Sequence, residues 1–246
     1  MSILACVDGS RYAGAVCDYA AWFSSLMSAP ITLLNVGDPA RASSSTLPAL
    51  ARAVERLAQE GSPAADILSP VGDFVPVALD LAAAADVLVM GKRGRDTSAR
   101  EALGSNVEAM VRGSGRPLCL VSQVYLPISH ALVILDGDPE HRRSVEFVSS
   151  HHALRNLTMD LVLMSDGRVG ADDKVQWART MLNARSADVF AMSAQDPGEV
   201  ATRYLENSGF DLLIISKEVL LSGTSLQLRR IDAESLWAKR APILVC

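Results

Sequence analysis

The stretch Asp86-Val87-Leu88-Val89-Met90-Gly91-Lys92-Arg93-Gly94 decides the fold of this chain. Its apolar run has no alternation of apolar and polar residues, which is typical of a parallel strand buried on both faces. Two glycines follow the run, and after nine intervening residues Gly104-Ser105 opens a helical pattern. A strand, a glycine-containing loop and a helix in this order predict one step of an α/β fold.

The same pattern returns 125 residues later without a gap. Asp211–Ile215 aligns with Asp86–Met90, and Pro242–Cys246 aligns with Pro117–Val121. Near the start of the chain the offset is 128, because Val7-Asp8-Gly9 matches Leu135-Asp136-Gly137. The sequence therefore predicts two domains, residues 1–123 and 130–246, joined by the short segment Gln123–Ser129.

Short apolar runs alternate with helical periods through both halves. In the first half the predicted strands are Ile3–Val7, Ile31–Val36, Ala65–Leu68, Asp86–Met90 and Pro117–Val121. In the second half they are Ala131–Leu135, Leu161–Met164, Val189–Met192, Leu212–Ile215 and Ile243–Val245. The expected fold class is α/β, with two tandem, doubly wound, Rossmann-like domains that each contain a mainly parallel five-stranded sheet.

Composition and charge exclude several classes of function. The formal net charge is −5 over 246 residues, which argues against non-specific binding to nucleic acid. No apolar run approaches the ~20 residues of a membrane helix, and no signal peptide is apparent, so a cytoplasmic location is expected. The cysteines and histidines have no metal-ligand spacing, so we expect buried reduced thiols, solvated histidines and no metal bound by protein side chains.

The glycine loop has the chemistry of a phosphate cradle. Gly91 and Gly94 follow a parallel strand, where missing side chains let backbone N–H groups approach an anion and where a positive φ is permitted. Gly104 and Ser105 open a helix whose first N–H groups also favour an anion. Lys92, Arg93 and Arg95 are expected to add positive charge nearby.

Two of these features also have structural explanations that need no ligand. Ser105-x-x-Glu108 is a capping box, which stabilises the start of a helix. Asp8 in Asp8-Gly9-Ser10 can cap a turn, although a carboxylate there could also accept hydrogen bonds from the sugar of a nucleotide. The sequence leaves both alternatives open.

Gly-x2-Gly-x9-Gly-Ser, together with Val-Asp-Gly-Ser after the first strand, resembles the universal stress protein family. The resemblance spans the chain as two tandem domains and implies a fold of the adenine nucleotide alpha hydrolase-like type. Glycine-containing members bind ATP, so the resemblance implies an adenine nucleotide as ligand and allows Mg²⁺ with it. It places Asp8 near the adenosine, the backbone of Val36 at the adenine, and Gly91, Gly94, Gly104 and Ser105 at the phosphates.

The neighbours of these residues complete the predicted nucleotide site. They are Gly9, Ser10, Met90, Lys92, Arg93, Asn106 and Val107. Asn106 departs from the family, which often has Val directly after the serine, and this raises a question about local helix packing. The Ser-rich stretch Arg41–Thr46 is a further candidate to cover the nucleotide.

The second half has lost the glycine loop. Ser216, Val219, Arg229 and Arg230 stand at the four equivalent positions, and a β-branched valine resists positive φ and fills space. We therefore expect no ATP site there. Since family domains often pair through their last strands, the resemblance implies a homodimer or a pseudo-dimer within one chain, in which Leu118–Val121 meets Ile243–Val245.

The leading hypothesis is an ATP-binding regulatory protein of the stress response with one nucleotide site, in the N-terminal domain. No general base stands beside a nucleophile, so it is not expected to be an enzyme beyond slow, incidental ATP hydrolysis. The alternative is a nucleotide-free dimerisation or interaction scaffold in which the glycines are structural. An adenylating enzyme is a weaker third reading, because Asp8-Gly9-Ser10 is only a fragment of the loop that such enzymes carry.

Overall fold

The computed structural model describes residues 1–37, 46–62, 64–94, 105–136, 142–151, 154–165, 171–184, 186–191, 209–217 and 241–246. The chain divides into two compact units, Met1–Tyr125 and Leu126–Cys246. The division falls inside the segment that the sequence suggested as a linker.

The first unit alternates strands and helices throughout. Its elements are β1 (Ile3–Cys6), α1 (Ala13–Met27), β2 (Ile31–Leu34), α2 (Thr46–Gln59), β3 (Asp66–Leu68), α3 (Phe74–Ala82), β4 (Val87–Gly91), α4 (Ser105–Gly113) and β5 (Leu118–Val121). The strands lie in the order β3-β2-β1-β4-β5, and all neighbouring pairs are parallel. This confirms the doubly wound α/β fold expected from the apolar runs.

The second unit repeats this order. Its elements are β6 (His130–Asp136), α5 (Arg143–Ser150), β7 (Thr158–Ser165), α6 (Ala171–Leu182), β8 (Ser186–Ala191), β9 (Leu212–Ile215) and β10 (Ile243–Val245). The order β10-β9-β6-β7-β8 is again parallel throughout, with β6 in the place of β1. The tandem repeat predicted from the sequence is therefore confirmed, because both units have the same strand order.

The cores lie on both faces of the central strands. Residues of β1, β4, β6 and β9 are buried because helices cover a doubly wound sheet on each side. β3 departs from the expectation of continuous burial, since Ile67 is 46% exposed. Its position at the edge of the sheet explains the difference, because one flank of an edge strand has no neighbour.

An aspartate fixes the start of the central strand in each unit. Oδ2 of Asp86 accepts a hydrogen bond from the backbone N–H of Ser2 at 2.6 Å. Oδ2 of Asp211 accepts one from the backbone N–H of Ser129 at 3.1 Å and another from its hydroxyl at 2.7 Å. The two halves thus share this local device as well as the strand order.

Candidate functional site

The candidate site lies where the chain reverses its direction across the first sheet. From β1 the chain moves to β2 and β3 on one side, and it returns to β4 on the other. In open α/β sheets such a switch point leaves a crevice outside the carboxyl ends of the strands. Asp8 follows β1 and Gly94 follows β4, so the topology brings both predicted residues to this crevice.

Asp8 and Gly94 lie side by side at the switch point. A Cβ added at Gly94 would lie 3.3 Å from Oδ2 of Asp8, closer than most real Cβ contacts. The other carboxylate oxygen, Oδ1, accepts a hydrogen bond from the backbone N–H of Ser10 at 2.9 Å. Both readings of Asp8 therefore have a geometric basis, since one oxygen caps the turn while the other borders the glycine.

The turn after β1 is built from its own polar groups. Oγ of Ser10 accepts a hydrogen bond from the backbone N–H of Tyr12 at 3.3 Å, just before α1 begins. Gly9 adopts φ +73°, and a Cβ there would lie 3.1 Å from Cβ of Ala49. Gly9 and Ser10 thus set the path of the chain past the crevice.

Gly91 and Gly94 do not use the positive φ that glycine permits. Neither residue is among those with positive φ in the described chain. Gly91 is a glycine for another reason, because a Cβ there would lie 2.7 Å from Cβ and 2.9 Å from Cγ of Tyr12. The first glycine of the loop is therefore required by packing, whereas the second borders the crevice.

Lys92 also differs from the expectation. Its side chain is only 3% exposed, and Nζ donates a hydrogen bond to Oγ of Ser122 at 3.2 Å. Burial lowers the pKa of Lys92 from 10.5 to about 7, because water no longer solvates the ammonium. The charge predicted beside the phosphates thus lies buried against Ser122, while Arg93 stays partly exposed.

The helix after the loop begins at Ser105, with Ser105 and Asn106 exposed. Glu108 forms an ion pair with Arg112 one turn later, with Nη2 and Oε1 3.1 Å apart. Its carboxylate therefore has a partner besides the helix start that the predicted capping box would give it. Val107 is 1% exposed, so the departure at Asn106 leaves the helix packed. Gly104, Arg95 and most of Arg41–Thr46 lie outside the described residues.

The remaining predicted site residues are Val36, which follows β2, and Met90, which lies on β4. Val36 comes two residues after the end of β2 and is partly exposed. Met90 is buried within β4, where it is paired with Cys6 and Leu120. The sequence did not suggest Tyr12, which packs on Gly91, or Asn35, which donates a hydrogen bond to the carbonyl of Val7. Only packing and strand register reveal these two contacts.

The equivalent crevice of the second unit has different contents. Ser216, at the position of Gly91, is fully buried, and its backbone N–H donates to the carbonyl of Ile134 at 3.4 Å. The backbone N–H of Lys217 donates to the carbonyl of Cys246 at 2.7 Å, which repeats the bond from Lys92 to Val121. Val219, Arg229 and Arg230 lie outside the described residues.

Two expectations about histidine and cysteine need correction. His130 is not a solvated histidine, because its side chain is only 15% exposed and its Nε2 lies 2.9 Å from Oδ2 of Asp160, which is 2% exposed. Cys246 is partly exposed rather than buried, whereas Cys6, Cys17 and Cys119 are buried as expected. Burial raises the pKa of Cys6 and of Cys17 to about 12.

Within the described part of the chain, no cluster of three or more His, Cys, Asp or Glu residues could hold a metal ion. None of the helices described above is both long and apolar enough to cross a membrane.

Two units that each contain five parallel strands in this order define a tandem protein of the Rossmann-like, doubly wound class. Residues 1–122 match the model of the Universal stress protein family. Universal stress protein Slr1230 of Synechocystis is 22% identical and aligns over 93% of this chain and 96% of its own length. The first unit therefore belongs to the universal stress protein family, and the chain as a whole is similar to a member of that family.

Solved structures of the same fold cover both units. A universal stress protein from Archaeoglobus fulgidus superposes with a TM-score of 0.70 at 15% identity, over 100% of this chain and 95% of its own. A putative universal stress protein from Pseudomonas aeruginosa gives 0.69 at 16% identity, over 99% and 92%. At these identities the likeness establishes the fold.

Proposed function

We propose that the first unit binds one ATP per chain, and that the protein is a nucleotide-dependent regulator of the stress response. The observation that carries this proposal is the contact between Asp8 and Gly94 at the switch point. A Cβ at Gly94 would lie 3.3 Å from Oδ2 of Asp8, so a side chain there would crowd the carboxylate that this proposal assigns to the sugar. A site that needs the backbone to approach its ligand has this property.

The residues around the crevice fit an adenine nucleotide in their chemistry. Asp8 offers a carboxylate oxygen to sugar hydroxyls, and the exposed first turn of α4 at Ser105 offers N–H groups to phosphate. Arg93 supplies partly exposed positive charge in the same loop. If Mg²⁺ accompanies ATP, its ligands would come mainly from the phosphates and water.

We propose that the protein turns ATP over slowly at most. The described part of the crevice offers Asp8 as its carboxylate, and Oδ1 of that group already accepts the N–H of Ser10. Efficient hydrolysis needs a group that is free to orient and activate water. Release of phosphate from bound ATP, followed over hours, tests this directly, and many turnovers per minute would contradict it.

A nucleotide-free scaffold is the second candidate function, and one observation favours it. Gly91 is explained by the packing of Tyr12 alone, so this glycine requires no ligand. On this hypothesis the first unit would be a binding surface for a second copy of the chain. Sedimentation velocity with and without ATP separates the two candidates, because a regulator is expected to change its association when nucleotide binds.

Calorimetry of ATP binding to nucleotide-stripped protein is the experiment that tests the proposal. We expect one site per chain, at least a tenfold loss of affinity in Gly94→Val, and a smaller loss in Asp8→Asn, which keeps the turn. Gly115→Val is the matched control, because a Cβ at Gly115 has no heavy atom within 4 Å. Folded protein that produces no heat with ATP would favour the scaffold.

A further inference from the structure

β2 stops pairing with β1 earlier than the register requires. Cys6 is paired with Leu34, and the backbone N–H of Val7 donates to the carbonyl of Leu34 at 2.8 Å. In a parallel ladder the next bond would run from the N–H of Val36 to the carbonyl of Val7. That bond is absent among the described residues, and β2 ends at Leu34.

The side chain of Asn35 donates to the carbonyl of Val7, which is the acceptor that Val36 would otherwise use. Asn35 is 3% exposed, and its Nδ2 donates a hydrogen bond to the carbonyl of Val7 at 2.6 Å. The side-chain amide thus takes the acceptor to which the register would direct Val36. A buried amide is costly unless it is hydrogen-bonded, so this contact is also what makes Asn35 tolerable in the core.

The backbone on either side of Val36 is held toward β3. The N–H of Asn35 donates to the carbonyl of Leu68 at 3.0 Å, and that of Gly37 donates to the carbonyl of Pro70 at 2.8 Å. Because alternate residues of a strand direct their N–H and C=O groups to opposite sides, those of Val36 point toward the end of β1. Neither group of Val36 has a hydrogen-bond partner among the described residues.

The second unit shows what happens without the asparagine. Leu163 stands at the position of Asn35 and is 2% exposed, so it is equally buried and similar in size. There the pairing runs two residues further, through Leu135 with Leu163 and Asp136 with Met164. The first unit therefore has a strand that ends before its buried asparagine, and the second has a strand that continues through a buried leucine. Asn35 and Leu163 are the residues that differ where the two pairings diverge.

We propose that Asn35 is a positioning residue for adenine: it ends the pairing of β1 with β2 and so keeps the N–H and C=O of Val36 available to the base. This inference rests on the proposed function and adds the device that prepares the adenine contact. Adenine presents an acceptor at N1 beside a donor at N6, which match one backbone donor and one backbone acceptor. Guanine presents O6 as an acceptor where adenine has a donor, so the same backbone groups select against it.

Asn35→Leu, which copies the second unit, tests the proposal. We expect Val36 to pair with Val7 in this variant, the affinity for ATP to fall about tenfold, and the preference for ATP over GTP to disappear. Binding of inorganic triphosphate is expected to stay within about twofold of the wild type, which a general loss of structure would not allow. The reverse change, Leu163→Asn, is the matched control and should leave ATP binding unchanged.

Amide hydrogen exchange of Val36 gives a readout without ligand. In the wild type Val36 should exchange much faster than Asn35 and Gly37, and in Asn35→Leu its exchange should slow at least tenfold. Protection of Val36 in the wild type, or an unchanged preference for ATP in the variant, would overturn the inference. If the wild type binds ATP but the variant behaves identically, Asn35 alone is excluded; if the wild type binds no ATP, the proposed function fails and the adenine role with it.

Discussion

Tyr12 packs directly on Gly91, so closely that a Cβ on the glycine would lie 2.7 Å from Cβ of the tyrosine. Both atoms are bound directly to the backbone and cannot rotate away. The first glycine of the loop is therefore fixed by the turn that follows β1, which is also the turn that carries Asp8. This packing couples the two segments that border the crevice before any ligand is present.

Gly91→Ala should destabilise the first unit by about 1–3 kcal/mol, the usual cost of inserting atoms into a well-packed region. Urea unfolding measures the effect. Gly14→Ala is the matched control, because a Cβ at Gly14 has no heavy atom within 4 Å and alanine favours the helix. Equal stability of Gly91→Ala and the wild type would show that Tyr12 can move aside at no cost.

Lys92 should make the stability of the protein depend on pH. In the unfolded chain its pKa is near 10.5, and in the fold it is about 7, so between these values the unfolded state binds more protons. The free energy of unfolding should therefore rise with pH across this window, by at most about 1.4 kcal/mol per pH unit from this group. Below pH 7 Lys92 is charged in both states, and burial of its ammonium lowers the free energy of unfolding by an amount that no longer changes with pH.

Comparison with Lys92→Met isolates that contribution. The variant should be more stable than the wild type at pH 6.5, and its advantage should shrink as the pH rises to 9. Lys217→Met is the matched control, since Lys217 is the equivalent residue of the second unit and is partly exposed. A difference between wild type and Lys92→Met that stays constant with pH would rule out the titration.

Asp18 and Arg56 join α1 to α2. Nε of Arg56 lies 2.7 Å from Oδ1 of Asp18, and Nη2 lies 3.0 Å from Oδ2. Asp18 is 9% exposed, so Arg56→Met leaves a mostly buried carboxylate without this partner. Because the arginine is half exposed, we expect a loss of about 1–2 kcal/mol in thermal or urea unfolding, and no comparable loss in Arg52→Met on the exposed face of α2.

Alkylation should divide the four thiols into two groups. In native protein at pH 8, Cys246 should react with iodoacetamide first, because it alone of the four is partly exposed. Cys6 and Cys17 combine burial with a pKa of about 12, so almost none of either is thiolate at that pH. Peptide mapping by mass spectrometry checks this order, and early modification of Cys6 would contradict the packing under Asp8.

Hydrophobic pattern and internal repetition were enough to predict the sheets. The predicted strand Leu212–Ile215 has the same first and last residues in the structure, because a parallel strand buried on both faces is a continuous apolar segment. β2 was predicted to reach Val36 because Asn35 does not interrupt an apolar run strongly. The strand ends at Leu34 because a side-chain amide competes for one carbonyl, and only the register shows this competition.

The contents of the crevice were harder to predict. The sequence suggested the same role for Gly91 and Gly94, although Tyr12 explains one and Asp8 borders the other. Tyr12 lies far from Gly91 along the chain, so no local pattern could link them. Lys92 was predicted to add positive charge near the phosphates, but directly after β4 its side chain turns to Ser122 instead.

A crystal structure of the protein grown with ATP would test the central claim most directly. We predict one nucleotide per chain, in the first unit, with its sugar near Asp8, its base on the backbone of Val36 and its phosphates along the loop from Gly91 to Ser105. Nucleotide density at the carboxyl ends of β6 and β9, against Ser216 and Val219, or a first crevice left without nucleotide at saturating ATP, would contradict the account.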